Sequence, residues 1–257
     1  MPYSDILELY VSLIFQVFNK KFFEFSFLDI FSLFLSINFQ AFVNFLFITK
    51  IILTVLNGTN FFYIHCKRGA LMLQIRLHGR GGQGVVTAAE MLTLAAFYEG
   101  HHAQAFPSFG SERTGAPVVA YARIDNKEIR THEPIQQPGV VLVQDKTLLG
   151  SVDVFGGLDP NGYAIINSKE APEVVVPELV KMLPKGHVFT VPATDFAMQK
   201  IGKPLPGAPM LSALAAVTDI LKLESVQKAF QERYPGKVGD ANAETAALAY
   251  NYIKGVL

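Results

Sequence analysis

Six consecutive residues in the first half of the chain have a pattern that suits phosphate binding. They read Gly79-Arg80-Gly81-Gly82-Gln83-Gly84 and satisfy the pattern GxGxxG. Glycines at this spacing let backbone N–H groups and a helix N-terminus approach a phosphate, because no β-carbon stands in the way. The same glycines would also suit a tight turn with close helix packing and no ligand. This segment, here called the glycine loop, therefore predicts either a phosphate site or a structural turn.

A second polar segment, FPSFGSERTGAPV, occupies residues 106–118. Arg113 is its residue best suited to hold an anion, because a guanidinium is a rigid fork of donors that fits phosphate or carboxylate. Glu112 could orient Arg113 or pair with a charge across an interface, and Ser111 adds a hydroxyl. An ordinary solvated loop could have the same composition. With the glycine loop, Ser111, Glu112 and Arg113 are the candidate contacts to a phosphate or to another subunit.

The sequence after residue 71 lacks the residues for redox, metal or covalent chemistry. Cys66 is the only cysteine, so the later residues offer no thiolate to iron, zinc or an acyl group. The histidines have no HxxxH or HxH spacing, and no nucleophile, base and orienting acid recur in a recognisable arrangement. With 22 basic and 22 acidic residues, the chain has no charge excess that would attract nucleic acid. We therefore expect no catalytic or metal-binding residue and no nucleic-acid partner.

A strand before the glycine loop and a helix after it should hold the loop in place. Leu73–Leu77 alternates apolar and polar residues as a strand does, and Val85–Tyr98 has apolar residues at helical spacing. Strand, loop and helix begin an α/β unit. A dinucleotide fold would also need a carboxylate at the end of the next strand, Ala103–Phe106, and Pro107 follows instead. Binding of NAD is therefore disfavoured.

The chain from Met72 onward predicts a single α/β domain, with a sheet covered by helices and a helical C-terminal end. Near-continuous apolar runs favour strands that are buried on both faces. The strand order stays open. The further predicted strands are Val118–Ile124, Val140–Gln144, Val152–Phe155 and Ala164–Asn167. The further predicted helices are Pro177–Leu183, Ala193–Ile201, Met210–Leu221, Glu224–Tyr234 and Ala241–Val256.

The two polar segments together resemble the gamma subunit of pyruvate:ferredoxin oxidoreductases, in the 2-oxoacid:ferredoxin oxidoreductase family. The resemblance rests on GRGGQGVVTAAEML at residues 79–92, followed by AFPSFGSERTGAPVVAYARI at residues 105–124. It continues through GVVLVQD at 139–145, GAPMLSALAAVTDIL at 207–221, and a C-terminal helix with Asn242, Glu244 and Ala247. Related subunits for 2-oxoglutarate or branched-chain acids tend to have YGPE and RGG where this chain has SFGSERTG. The resemblance therefore favours pyruvate.

This resemblance implies an accessory subunit that is inactive alone. The whole enzyme would convert pyruvate, coenzyme A and oxidised ferredoxin to acetyl-CoA, carbon dioxide and reduced ferredoxin. In such enzymes thiamine diphosphate lies between the alpha and beta subunits, and iron–sulfur clusters lie in the beta and delta subunits. Magnesium is also held by the partner subunits. The implied partners are these three subunits, ferredoxin reached through the complex, and coenzyme A, all in the cytoplasm. The glycine loop, with Arg80 and Arg113, would help to hold the phosphates of coenzyme A.

Two other functions stay open on the sequence. The chain could be a purely structural subunit of a related oxidoreductase for 2-oxoisovalerate or 2-oxoglutarate, in which the glycine loop contacts only a partner. It could also be a nucleotide-dependent enzyme anchored in a membrane, because Ile30–Thr49 is a 20-residue run without a charge. The membrane-anchored enzyme would require a catalytic set that the sequence does not show.

The first 71 residues differ in composition from the rest of the chain. They contain 14 of the 21 phenylalanines but only 2 of the 20 glycines. They are rich in Phe, Ile, Leu, Asn and Lys, a composition that is typical of translated AT-rich, non-coding DNA. We therefore predict that residues 1–71 are an over-extended gene start and that the native protein begins at Met72, with a membrane anchor as the alternative. The intact mass of the native protein is expected to fit residues 72–257, and a native peptide from residues 22–50 would contradict this.

Overall fold

The computed structural model describes residues 72–108 and 114–257, so the predictions about residues 1–71 lie outside the described residues. The described residues form one six-stranded sheet and seven α-helices. The strands are β1 Leu73–Arg80, β2 His102–Pro107, β3 Pro117–Asp125, β4 Val140–Val143, β5 Tyr163–Asn167 and β6 Val188–Val191. The helices are α1 Val85–Tyr98, α2 Pro172–Val175, α3 Pro177–Met182, α4 Ala193–Lys200, α5 Gly207–Thr218, α6 Leu223–Arg233 and α7 Lys237–Lys254.

The sheet is mixed, with the strand order β2-β3-β1-β4-β5-β6. Strands β1, β4, β5 and β6 are parallel neighbours, whereas β3 runs antiparallel between β1 and β2. Strands β2 and β3 thus lie on one side of β1, and strands β4, β5 and β6 lie on the other side. The direction in which the chain crosses the sheet therefore reverses between β1 and β4. In open α/β sheets, ligands bind beyond the carboxyl ends of the strands at such a reversal.

Apolar side chains pack on both faces of the parallel part of the sheet. On one face, Ile75 and Leu77 of β1 lie opposite Val140 and Leu142 of β4, and helices α1, α5, α6 and α7 cover them. On the other face, a smaller buried cluster lies over β4 and β5. This second cluster consists of Val141, Val143, Leu148, Val154 and Ile166. The predicted α/β fold with a covered sheet is therefore confirmed.

Most predicted elements are confirmed within a few residues, but the predicted strand Val152–Phe155 is wrong. That segment forms turns, and the N–H of Val152 donates to Leu148 O at 2.9 Å instead of pairing with a strand. Val154 is buried in the second cluster and Val152 and Phe155 pack against it, which explains why the segment has a strand-like composition. The sequence patterns also miss β6, because its four residues are too few to show an alternation.

Helices α5 to α7 form the helical C-terminal end that the sequence predicts. Helix α5 is buried along its whole length. Both α5 and α7 begin earlier than predicted, at Gly207 and Lys237. Pro209 does not interrupt α5, because it lies in the first turn, where a helix does not need the missing N–H. None of the described helices is long and apolar enough to cross a membrane.

Candidate functional site

The glycine loop lies at the carboxyl end of β1, directly beside the carboxyl end of β4. Gly79 and Arg80 are the last residues of β1, and α1 begins at Val85. The pairing of β1 with β4 continues past the last paired strand residues, because the N–H of Gln144 donates to His78 O at 2.7 Å. The glycine loop therefore occupies the reversal of strand order, which is the usual ligand position in an open α/β sheet.

The glycine loop is hydrogen-bonded to the end of the second polar segment. The N–H of Gly81 donates to Ala116 O at 2.9 Å, and the N–H of Gly115 donates to Gly81 O at 3.0 Å. These bonds extend the antiparallel pairing of β1 with β3 into both loops. The two segments that the sequence singles out therefore lie side by side. Ser111, Glu112 and Arg113 lie outside the described residues, and their role stays a prediction.

Two glycines let α1 begin directly against the end of β1. A β-carbon on Gly79 would lie 2.5 Å from Val85 Cγ2 and 3.3 Å from Gln144 Cβ, so a side chain there would push the start of α1 away. Gly84 has a φ of 74° at the N-cap of α1, a left-handed conformation that favours glycine. Both positions thus need glycine for a physical reason, and the close approach of helix and strand depends on them.

The N-terminus of α1 is open to an anion. Among the described residues, no side chain caps this helix end, and its first turn contains no acidic residue. The first N–H groups of a helix have no partner within the helix, and the helix dipole adds a partial positive charge there. The glycine loop therefore presents backbone donors at the carboxyl edge of the sheet, as phosphate binding requires.

Arg80 is held by the protein on three sides. Its Nε and Nη2 donate to Thr147 Oγ1 at 3.0 and 2.7 Å, and its Nη1 donates to Gly115 O at 3.0 Å. Its Nε also lies 3.4 Å from Asp145 Oδ2. Among the described residues, these contacts use three of the five N–H groups of the guanidinium. Arg80 thus ties the glycine loop to the start of β3 and to the turn after β4, with two N–H groups left for another acceptor.

Asp145 is the carboxylate that organises this region. Its Oδ2 accepts a hydrogen bond from Gln83 Nε2 at 2.8 Å. Its Oδ1 accepts from the N–H and the hydroxyl of Thr147 at 2.9 and 2.7 Å, which caps the 3₁₀ turn Lys146–Leu148. Gln83 in turn accepts the N–H of Arg80 through Oε1 at 2.8 Å. One carboxylate therefore fixes both the glycine loop and the turn that follows β4.

The hydrogen bonds to Asp145 favour its ionised form. Burial raises the pKa of Asp145, but the hydrogen bonds from Thr147 and Gln83 and the charge of Arg80 outweigh it, so the pKa lies below its ordinary value. The stability that this carboxylate contributes is therefore complete above about pH 4, the pKa of an unfolded aspartate. It is lost as the pH falls through the lower pKa of the folded state. At neutral pH Asp145 is therefore ionised, and the positive charge of Arg80 lies next to it.

Gln144 has a buried amide that no group satisfies within the described protein. The residue is 1% exposed, and neither its Oε1 nor its Nε2 has a hydrogen-bond partner. Its Cβ faces Gly79, on the side of the sheet that α1 covers. An unsatisfied buried amide costs about 1–3 kcal/mol, so such groups are usually met by ordered water or by a bound molecule. Gln144 therefore places a buried amide, with both a donor and an acceptor, next to the glycine loop.

Arg76 and His78 lie on the opposite face of β1 and have a structural role. Arg76 donates from Nε to His78 Nε2 at 3.0 Å, and from Nη2 to the carbonyl oxygens of Val154 and Gly156 at 3.0 and 2.7 Å. Burial, together with the positive charge of Arg76, lowers the pKa of His78 to about 4. The ring is therefore neutral and accepts the hydrogen bond from Arg76. These contacts fix the turn around residue 154 to the sheet.

The described histidines are not grouped as metal ligands are. In residues 72–108 and 114–257, no group of three or more His, Cys, Asp or Glu side chains could hold a metal ion. His101 instead hydrogen-bonds to Asn126 Oδ1 at 2.9 Å, and His187 stacks on Tyr163 with ring centroids 4.4 Å apart.

Sequence reasoning finds the glycine loop but misses the residues of β4 and its following turn that complete the site. Asp145 and Gln144 come directly after the apolar run of β4. Polar residues at that point are a usable signal, because the carboxyl ends of neighbouring parallel strands meet at one edge of a sheet. Thr147 gives no such signal, since its contact with Arg80 depends on the 3₁₀ turn.

Comparisons with known proteins identify the family to which this chain is similar. The family model described as "Pyruvate ferredoxin/flavodoxin oxidoreductase" matches residues 74–252. The chain is 47% identical over 180 residues to "Pyruvate/ketoisovalerate oxidoreductases common subunit gamma" of Thermococcus kodakarensis, covering 70% of this chain and 96% of the relative. It is 46% identical over 181 residues to "Pyruvate synthase subunit PorC" of Methanocaldococcus jannaschii, with the same two coverages.

This chain is also similar to a solved structure from the same family. The crystal structure of pyruvate oxidoreductase subunit PORC from Thermotoga maritima is 38% identical, with a TM-score of 0.60, and the match covers 71% of this chain and 97% of that one. The family model spans most of the residues after Met72, including the glycine loop and Asp145. The chain therefore belongs to the pyruvate ferredoxin/flavodoxin oxidoreductase family, and its relatives are subunits of that enzyme.

Proposed function

We propose that this chain is the gamma subunit of a heteromeric pyruvate:ferredoxin oxidoreductase. The assembled enzyme converts pyruvate, coenzyme A and oxidised ferredoxin to acetyl-CoA, carbon dioxide and reduced ferredoxin. The names of both similar proteins support pyruvate as substrate, and the name of the Thermococcus kodakarensis relative also includes ketoisovalerate. In this proposal the chain packs on alpha and beta subunits in the cytoplasm, with a delta subunit in the same complex.

The proposal assigns the reactive groups to the partner subunits. No cysteine follows Cys66, so iron–sulfur clusters would find no thiolate ligand in residues 72–257. Thiamine diphosphate, magnesium and the clusters would therefore be held by the other subunits, and electrons would reach ferredoxin through them. This chain would contribute an interface and a site for part of a substrate.

That substrate is coenzyme A, and the observation that carries its assignment is the open N-terminus of α1 at the strand-order reversal. The helix end, which no described side chain caps, and the glycine loop present backbone N–H groups to an anion. Coenzyme A is the phosphate-rich substrate of the reaction. Beyond its contacts with the described residues, Arg80 has two further N–H groups that could bind a phosphate. Arg113 is predicted to add a second guanidinium. The glycine loop would hold the phosphates of coenzyme A while the thiol of coenzyme A reaches the partner subunits.

Replacing Arg80 and Arg113 with alanine, singly and together, tests this role in the assembled enzyme. The KM for coenzyme A is expected to rise about tenfold for each lost charge-assisted contact, with kcat for pyruvate oxidation little changed. Arg130→Ala is the matched control, because Arg130 is an exposed arginine whose side chain pairs with Glu128. An unchanged KM for coenzyme A in the double variant would remove the coenzyme role from the proposal.

A purely structural role for the glycine loop is the second candidate, and the contacts of Arg80 favour it. Arg80 already bonds to Thr147 and Gly115, as a residue that only shapes a loop would do. In that case Arg80→Ala would lower the amount of chain retained in the complex, while the kinetics of the complex that forms would not change. Measuring retention and KM on the same preparations therefore separates the two candidates.

A further inference from the structure

Gln144 follows β4 directly, and hydrogen bonds fix its backbone on both sides. Its N–H donates to His78 O at 2.7 Å, and its carbonyl oxygen accepts from Asn167 Nδ2 at 2.8 Å. Side chains alternate between the two faces of a sheet, and here Leu142 lies in the core on the α1 side while Val143 lies in the second cluster. The Gln144 side chain therefore points to the α1 side.

The first part of this side chain lies beside the N-terminus of α1. A β-carbon built on Gly79 would be 3.3 Å from Gln144 Cβ and 2.5 Å from Val85 Cγ2. Only the small residue Gly79 thus separates Gln144 from Val85, which is the first residue of α1. Gln144 therefore borders the helix end whose N–H groups the proposed function assigns to a phosphate.

The amide of Gln144 makes no hydrogen bond that a structural role would require. The residue is 1% exposed, and neither Oε1 nor Nε2 has a partner in the part of the chain that the structure describes. The half-buried Gln227, in contrast, donates from Nε2 to Ala243 O at 2.9 Å. An apolar side chain of the same shape at position 144 would avoid the cost of the buried amide. Because no hydrogen bond holds this amide, it can turn towards a ligand without breaking one.

We propose that Gln144 is a ligand-binding residue, and that it recognises a neutral group attached to the phosphate at the N-terminus of α1. Its amide has one acceptor oxygen and two N–H donors. A phosphate ester at neutral pH offers only acceptors, so a phosphate alone would leave Oε1 without a donor. A group that joins a donor to an acceptor satisfies both atoms, as when glutamine pairs with the edge of adenine. Gln144 therefore favours a phosphate ester that carries such a group over inorganic phosphate.

Coenzyme A has a group of this kind on either side of its pyrophosphate. The amino edge of adenine is one, and an amide of the pantetheine arm is the other. Each joins an N–H donor to an acceptor, so each matches the Gln144 amide. Gln144 has this role only if coenzyme A is the ligand of the glycine loop, so the inference rests on the proposed function. It adds a residue that recognises coenzyme A beyond its phosphates.

Gln144→Met in the full chain tests whether the amide has a structural role, because methionine keeps the length of the side chain and removes both polar atoms. The midpoint of urea unfolding is expected to stay unchanged or to rise, since no hydrogen bond is lost. Gln227→Met is the matched control, and its midpoint is expected to fall because the bond to Ala243 is lost. A fall for Gln144→Met as large as that for Gln227→Met would overturn the inference, because an ordered water would then satisfy the amide.

In the assembled enzyme, Gln144→Met is expected to raise the KM for coenzyme A about tenfold with kcat little changed, whereas Gln227→Met should change neither. ADP and phosphopantetheine, used as inhibitors, identify the recognised group. The inhibition constant of one of them is expected to rise about tenfold in Gln144→Met, while that of the other stays the same.

An unchanged KM for coenzyme A in Gln144→Met would overturn the inference, and so would unchanged inhibition by both ADP and phosphopantetheine. The proposed function would still stand if Arg80→Ala raised the KM in the same assay. If neither Gln144→Met nor Arg80→Ala changed the KM, the coenzyme role of the glycine loop would fall together with the inference.

Discussion

Replacing Asp145 with alanine is expected to lower the free energy of unfolding by about 2–4 kcal/mol, the largest effect of any substitution around the glycine loop. The alanine removes an acceptor that serves Gln83 and both donors of Thr147. It also removes the cap of the 3₁₀ turn and the negative charge beside Arg80. Urea unfolding of the purified chain measures the change as a shift of the midpoint at constant slope.

Two further variants show whether the charge or the shape of Asp145 matters. Asp145→Asn is expected to lower the free energy of unfolding by about half as much as Asp145→Ala. The amide oxygen of the asparagine can still accept the hydrogen bonds from Thr147, but its NH₂ must then face the NH₂ of Gln83. Gln83 cannot reverse to accept it, since its Oε1 already accepts the N–H of Arg80. Glu170→Ala is the control, because its exposed pair with Lys146 should contribute below about 1 kcal/mol. Equal stability of Asp145→Ala and Glu170→Ala would contradict the assigned role of Asp145.

Gly79→Ala is expected to destabilise the chain by about 1–3 kcal/mol through overpacking between β1 and α1. The added β-carbon would lie 2.5 Å from Val85 Cγ2, and valine has little freedom to rotate in a helix. The start of α1 must then move away from the end of β1, so the helix N-terminus would no longer face the same point. In the assembled enzyme, Gly79→Ala is therefore expected to raise the KM for coenzyme A as well as to lower the free energy of unfolding.

Gly150→Ala provides the control for Gly79→Ala. A β-carbon on Gly150 would meet no atom within 4 Å, so its change in unfolding free energy should stay within about 0.5 kcal/mol. A Gly79→Ala chain as stable as Gly150→Ala would show that α1 does not need the close approach to β1.

The elements nearest the glycine loop could be predicted from the sequence because each has a strong local signal. The predicted strand Leu73–Leu77 and helix Val85–Tyr98 are both present, and α1 has its predicted bounds. Glycine at residues 79 and 84 is required by a close contact and by a positive φ, which are local properties. The local sequence pattern is therefore enough to predict the part of the site that backbone groups form.

The rest of the site depends on contacts between residues that are far apart in the chain. Such contacts leave no local pattern from which a single sequence could predict them. Asp145 meets Gln83 only because β4 pairs with β1, and the strand order was open. The segment around Val154 has strand-like residues but is fixed as a turn by Arg76, far away in the chain. Tertiary contacts decided the outcome at both positions, since short apolar segments fit a strand and a buried turn equally well.

Pyruvate-dependent reduction of ferredoxin, assayed with the purified chain alone and with the assembled enzyme, decides whether this chain is an accessory subunit or an enzyme in its own right. Activity is expected only when this chain is joined by the subunits that hold thiamine diphosphate and the iron–sulfur clusters, and Arg80→Ala is expected to raise the KM for coenzyme A. Oxidation of pyruvate or another 2-oxoacid by the chain alone would contradict this expectation.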